Sequence, residues 1–370
     1  MLGTQNIHLI SIAEEYSYES SKHLLKDYKN IYLGELEYKE AARIFEHLQP
    51  NLRNEKFKYK DSNYEKYTMR DFIFKNINNI LSPVMVKDIL LTIKKKSMRA
   101  IQTIALVIYL YACDSVLSTD IMIHFFHLKE YSEAQEIIEE VNGIFNKYSI
   151  DLNKDEENHD FYVLCSKFFA LFARDIFLND VELRQIYAEV VKLFIYNVSI
   201  LKIYKFNIFR RKGYDTSLFY SLFKSEGDEI YEYLYNIQNS PYLYQQRALF
   251  LGKLGKYNEA YHYMDMAYNA LPNNFSIKNS RAVITFEANR GKTSDFAISK
   301  MKKSMETLEI CYYNNKRIAY HAQKYAEFAI ILSKEYQINS YIQRSKKWIF
   351  EIDSISNATM NLRKELLLLG

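Results

Sequence analysis

Chain breakers are scarce in this protein. Nine glycines and four prolines among 370 residues leave too few turn residues for an all-β domain, in which turn signals recur about every 8–12 residues. Long helices are what such a composition permits. Cysteine is equally scarce. Cys113, Cys165 and Cys311 are far apart and odd in number, which argues against a disulfide framework and points to reduced thiols in a cytoplasm. Long apolar runs are missing. The most apolar stretch, 104–113, is closed by Asp114; it is shorter than the roughly 20 residues of a bilayer span and reads as a buried helix. The opening MLGTQNIHLISIAEE has neither basic leader nor apolar core, so no signal peptide and no membrane partner are expected.

Catalytic signatures are missing too. There is no G-x-S-x-G elbow and no C-x-x-C pair. Gly291-Lys292-Thr293 ends like a phosphate-binding loop, but Phe286 stands where that loop needs glycine, and no strand precedes it. His124 and His127 lie three apart on an expected helix, without a cysteine or carboxylate at ligand spacing. The residues therefore predict no enzyme, no cofactor and no metal. The net charge of +4 is weak. The basic clusters 94–99, 210–212 and 344–347 are separated by stretches that carry acids, so nucleic acid is not the expected partner.

What is abundant is tyrosine, at 33 residues. Its ring packs while its hydroxyl stays wet, which suits a core or a contact surface equally. The most ordered pattern lies at 241–274, PYLYQQRALFLGKLGKYNEAYHYMDMAYNALPNN. Tyr244, Ala248, Leu251 and Leu254 recur at steps of four and three, and so do Tyr257, Ala260, Tyr261, Met264, Ala267, Tyr268 and Leu271. That is two amphipathic helices in succession. Gly255 falls at the turn between them, and Pro272 stops the second. The stretch resembles a tetratricopeptide repeat, a helical hairpin of about 34 residues. Ala248, Gly255, Tyr257, Glu259, Ala260, Ala267 and Pro272 fall in its register, whereas Tyr244, Arg247 and Leu251 depart from it. A hairpin of this kind cannot bury its apolar face alone, so neighbours must stack on it.

In chain order, 1–30 reads as a weakly specified helix, 36–50 as a helix, 51–68 as a polar linker, and 71–80 as another helix. Ser82-Pro83 opens a helix through Ile93. The apolar helix at 101–113 follows, then a short helix capped at Ser118 and one capped at Ser132. The β-prone runs 144–150 and 160–164 flank the polar DLNKDEENH and predict a hairpin. Three helices followed by a hairpin is the order of a winged helix. Its third helix carries Glu133, Glu136, Glu139 and Glu140, which repel phosphate. Long helices resume at 166–204. FRRKGYD at 209–215 reads as a basic turn into a helix at 216–224, and Gly227 as the end of that unit. Beyond the repeat-like hairpin, 277–288 and 297–308 predict a second one, in which Ala282 repeats Ala248. Helices at 314–334 and 338–353 and an apolar tail at 366–369 complete the chain. The expected fold is mostly α. It has a helical N-terminal region at 1–82, a winged-helix-like domain at 83–178, and a tetratricopeptide-like superhelix at 179–370.

The segments IQTIALVIYLYACDSVLSTDIMIHFF, DFYVLCSKFFALFARDI, FNIFRRKGYDTSLFYSLF and SPYLYQQRALFLGKLGKYNEA are similar, in order and turns, to the C-terminal half of bacterial STAND-type anti-phage defence ATPases. The resemblance spans about 100–290. It implies a sensor arm, a winged helix followed by helical repeats, without the ATPase or effector domain. An ATPase or effector subunit encoded nearby is then an expected partner. The chain also resembles, in size and helix content, the peptide-pheromone-responsive Rap regulators, whose N-terminal bundle has no wing. An RNA-binding or RNA-cleaving helical protein is a third reading, and it requires the basic clusters to converge. The register of the repeat resemblance turns Tyr242, Gln245, Leu249, Lys253, Asn279, Val283 and Glu287 toward a concave face. That mixture of ring, amides, apolar surface and both charges suits a protein or peptide ligand.

Overall fold

The structure, a computed structural model, describes residues 36–48, 50, 54–59, 72, 76, 82–141, 143–150, 159–164, 167–314, 319–351 and 357–369. The chain divides into two compact units, Met1–Ile80 and Leu81–Gly370. The helix expected at 1–30, most of the linker expected at 51–68 and most of the helix expected at 71–80 lie outside the described residues.

In the first unit, helix α1 (Tyr38–His47) opens on a reciprocal cap: Glu37 accepts from the N3 backbone, and the Glu37 N–H donates to Glu40 at 3.1 Å. Two orphan donors of the first turn are thereby satisfied. Ala41 and Phe45 are buried against Phe72. The Asn76 amide holds the backbone of Lys58 from both sides, accepting at 2.7 Å and donating at 2.8 Å.

The second unit is built around one helix. Ser82 and Ser97 cap α2 (Pro83–Lys96) and α3 (Met98–Ala112) through their hydroxyls. From Ala100 to Leu110, every residue of α3 except Gln102 is buried, as the apolar run from Ile104 onward demands. Then come α4 (Thr119–Phe126) and α5 (Tyr131–Glu139). The cap of α5 is Glu130, not Ser132: Glu130 and Glu133 satisfy each other's backbone donors, and that pair outcompetes a single serine hydroxyl. Strands β2 (Phe145–Ile150) and β3 (His159–Leu164) pair antiparallel, with Phe145 opposite Leu164 and Ile150 opposite His159. The two-residue β1 (Leu117–Ser118) joins the far edge of β3, giving the order β1-β3-β2.

Helices α6 (Lys167–Asn179) and α7 (Val181–Asn197) pack on α3, and the apolar core runs without a break across 178/179. The FRRKG segment is not a turn. It is the end of α8 (Phe206–Gly213), whose Phe209 is fully buried beneath the charged face. The Tyr109 ring meets Phe194 and Phe209 edge-on, and its hydroxyl donates to the Gly213 carbonyl at 2.8 Å. Helix α9 (Thr216–Phe223) precedes α10 (Gly227–Ile237). Gly227 starts a helix rather than ending a unit. A β-carbon there would stand 2.5 Å from the Phe250 ring, so the position needs glycine for close approach.

Three helical hairpins follow: α11 (Pro241–Lys253) with α12 (Tyr257–Ala270), α13 (Phe275–Asn289) with α14 (Asp295–Asn314), and α15 (Ala319–Tyr336) with α16 (Ile342–Glu351). Gly255 and Gly291 turn the first two at positive φ, +76° and +79°. Ala248 and Ala260 are fully buried where α11 meets α12. Arg247, out of register with the repeat, has a specific use: it donates to Asp228 of α10 at 2.7 Å and lies 4.3 Å from the Tyr263 ring of α12. The apolar tail expected at 366–369 is largely the end of a helix. Leu366 is buried near the end of α17 (Asn357–Leu368), in a core shared with α15 and α16. Helix α11 faces two ways: Leu243 and Phe250 belong to the core around α3, and Tyr244, Ala248 and Leu251 to the first hairpin's own.

Candidate functional site

The first helices of successive hairpins stand side by side, fastened by polar bridges. Thr216 at the start of α9 donates to the Gln246 side chain at 2.7 Å. Lys253, at the end of α11, donates to Ser217 of α9 at 3.0 Å. Gln245 donates to the Ser280 hydroxyl of α13 at 2.7 Å, and its amide also reaches Ser276. His321 of α15 and Asn279 of α13 share a 2.7 Å bond. The row is therefore α9, α11, α13, α15.

The expected contact residues divide along this row. Tyr242 is 41% exposed and Lys253 is exposed, while Leu249, Val283 and Glu287 are half-buried. Gln245 and Asn279 are buried, and this corrects the expectation that they offer amides to a ligand. The Gln245 amide is taken up by Ser276 and Ser280 of α13, and the Asn279 oxygen by His321 of α15, whereas the buried Asn279 Nδ2 meets no hydrogen-bond partner among the described residues.

At the N-terminal end of α11 lies a cleft of about 560 Å3 lined by Arg210, Arg211, Tyr242, Gln246, Asn274 and their neighbours. Pro241 at the first helical position fixes the entry of α11, and Tyr242 projects just after it. Asn274 works twice: its oxygen caps α13 through the Ser276 and Ile277 N–H groups, and its amide nitrogen reaches the Tyr242 hydroxyl at 3.5 Å. The Arg210 guanidinium lies 5.5 Å from the Tyr242 ring.

Farther along the row the charges sense one another across helices. Burial lowers the Lys253 pKa, and Asp215, Lys324 and Glu327 all act on the ammonium. Burial raises the Glu287 carboxyl. Tyr320 is 43% exposed, yet burial pushes its phenol up, and Asp215 acts on it from the cap of α9. Burial works against the Lys324 charge, but the adjacent Glu327 outweighs it and raises the pKa. Donors, acceptors, both charges and rings thus lie along the same row of first helices.

Cys311 is buried and its thiol pushed up to about 11; burial raises Cys113 as well. Such thiols are inert. Among the described residues, no three His, Cys, Asp or Glu side chains assemble as metal ligands, and no helix is long and apolar enough to cross a membrane. Sequence reasoning missed Gln246, Asn274, Tyr320, Lys324 and Glu327. Asn274, just ahead of an apolar helix start, carried a readable capping signal; the others carried none. No family model, curated protein or solved structure matches the chain.

Proposed function

We propose that the chain is a non-catalytic recognition module and that the row of first helices is the groove in which it holds a protein or peptide. The observation that carries this reading is the run of polar bridges that sets α9, α11, α13 and α15 side by side, Thr216 to Gln246, Gln245 to Ser280 and Asn279 to His321. First helices aligned in this way line the concave face of a tetratricopeptide-like superhelix. An extended polypeptide offers alternating donors and acceptors, which the mixed lining of Tyr242, Gln246, Asn274, Lys253 and Glu287 complements. Tyr242 supplies the exposed aromatic anchor that binding surfaces favour.

The middle of the chain supports a winged-helix-like domain: α3, α4 and α5 precede the hairpin, and β1 adds the third strand. That order favours the sensor arm of a STAND-like bacterial signalling or anti-phage system, acting in the cytoplasm with an ATPase or effector subunit. The pheromone-regulator reading lacks a place for the hairpin. The test is capture of partners on the tagged full chain from infected and uninfected cells, followed by calorimetry with the purified partner. Tyr242→Ala with Lys253→Ala should weaken the partner at least about tenfold, the scale of one hot-spot residue. Unchanged affinity would remove the groove from consideration.

A further inference from the structure

A second recess lies among α12, α13 and α14, and its chemistry differs from that of the first-helix row. It measures about 890 Å3 and is lined by six cations: Lys256, Lys278, Arg281, Lys292, Lys300 and Lys303. The one carboxylate in its lining is Glu259. Six cations against one carboxylate is a local excess larger than the net charge of +4 carried by the entire chain. Arg281 pairs with Asp265 at 3.0 Å. The other five make no ion pair among the described residues. Like charges crowded into a cleft repel one another and focus a positive field, an arrangement that an anionic ligand relieves.

The cations are interleaved with rings. Tyr257, Tyr261 and Tyr268 form one face of α12 and are half-buried at the recess. Phe296, in the first turn of α14, is 70% exposed, with the Lys300 ammonium 5.1 Å from its ring. Arg281 lies 4.9 Å from the Tyr268 ring. The part of α13 that lines the recess, from Lys278 to Asn289, runs about 16 Å at the helical rise. Cations that track a backbone beside bare rings that stack bases are the elements of single-strand recognition. An acidic peptide would use the cations but leave Phe296 idle. A duplex is read by an element that projects into its groove, not by a recess.

We propose that this recess binds single-stranded nucleic acid, with Lys278, Lys300 and Lys303 on phosphates and Phe296 stacking a base. The site is independent of the peptide groove. The experiment is fluorescence anisotropy of the full chain with labelled oligouridylate of about 20 nucleotides, from about 50 to 200 mM KCl. A labelled polyglutamate and a duplex of the same length run alongside. We expect single-strand binding whose logarithm falls with log salt at a slope of about −2 to −3, or roughly 0.7 per phosphate neutralised. Lys278→Glu, Lys300→Glu and Lys303→Glu together should weaken it at least about tenfold and flatten the slope. Phe296→Ala should weaken it about fivefold or more and leave the slope unchanged. Because Phe296 is exposed, that variant keeps the test valid if the triple variant unfolds. Absence of oligouridylate binding at low salt would overturn the proposal. So would equal or tighter binding of polyglutamate or duplex, insensitivity to Phe296→Ala, or full affinity in a folded triple variant.

Discussion

Helices α3 and α13 are both 15 residues long, and they are buried in opposite ways. Helix α3 is enclosed on every side, and what touches it is almost wholly apolar. Helix α13 is gripped along an edge. Two of its buried residues, Asn279 and Ser280, are polar, and both are bonded to first helices of the neighbouring hairpins. The core around α3 therefore has a centre, whereas the hairpins have only neighbours. A centred core feels damage everywhere. A stack built by nearest-neighbour contacts feels it in the adjoining units, and its polar bridges set which helix meets which.

The sharpest way to break the contrast is at the centre. Leu106→Ala, at a fully buried site of α3, should cost about 2–5 kcal/mol in denaturant unfolding. A loss near zero would mean that α3 is not the centre. Next is overpacking of a helix contact. Ala260→Leu, also at a fully buried site, should cost about 1–3 kcal/mol. Hydrogen exchange should speed up chiefly in α11 and α12; an unchanged melting temperature would contradict the packing described. Smaller again is Gln245→Ala, which strands the buried Ser280 hydroxyl and should cost about 1–2 kcal/mol. The exchange change should stay at the α11–α13 seam, and spread to α3 would erase the distinction between the regions.

The smallest effect is set by pH. Burial lowers the His321 pKa from 6.5, so the unfolded chain takes up the proton first. The contribution of His321 is whole above pH 6.5 and is lost as the pH falls toward the lower folded value. Melting temperatures measured at pH 7 and at about pH 5 should drop less in His321→Gln than in the parent. Equal drops would show that the α13–α15 bridge does not depend on a neutral imidazole.

The parts legible in the sequence are those encoded locally. Gly255, Ala248 and Ala260 declared a hairpin by spacing alone, and the β-prone runs around 151–158 declared the strands. Misreadings arose where meaning is set at a distance. Gly227 resembles a terminator until Phe250, 23 positions on, shows what it makes room for. FRRKG resembles a turn because three cations hide one buried Phe209. Gln245 and Asn279 resemble contact residues because polarity suggests exposure, and their partners lie 35 and 42 positions away. The cations that stand out as runs at 94–99 and 344–347 are not those that meet in the second recess. Lys278, Lys300 and Lys303 are unremarkable along the chain, and only the antiparallel return of α13 and α14 gathers them.

Helix α11 belongs to both regions at once, since Phe250 sits in the core around α3 and Leu251, one position on, sits in the first hairpin. Consecutive residues on a helix point about 100° apart, so the boundary between the regions runs along the length of α11 and not across the chain. The stack therefore does not hang from a swivel. It is mounted on a shared axle, and any torque that a bound partner applies to the hairpins must turn α11 against Gly227 and the Asp228–Arg247 pair before it reaches the rest of the molecule.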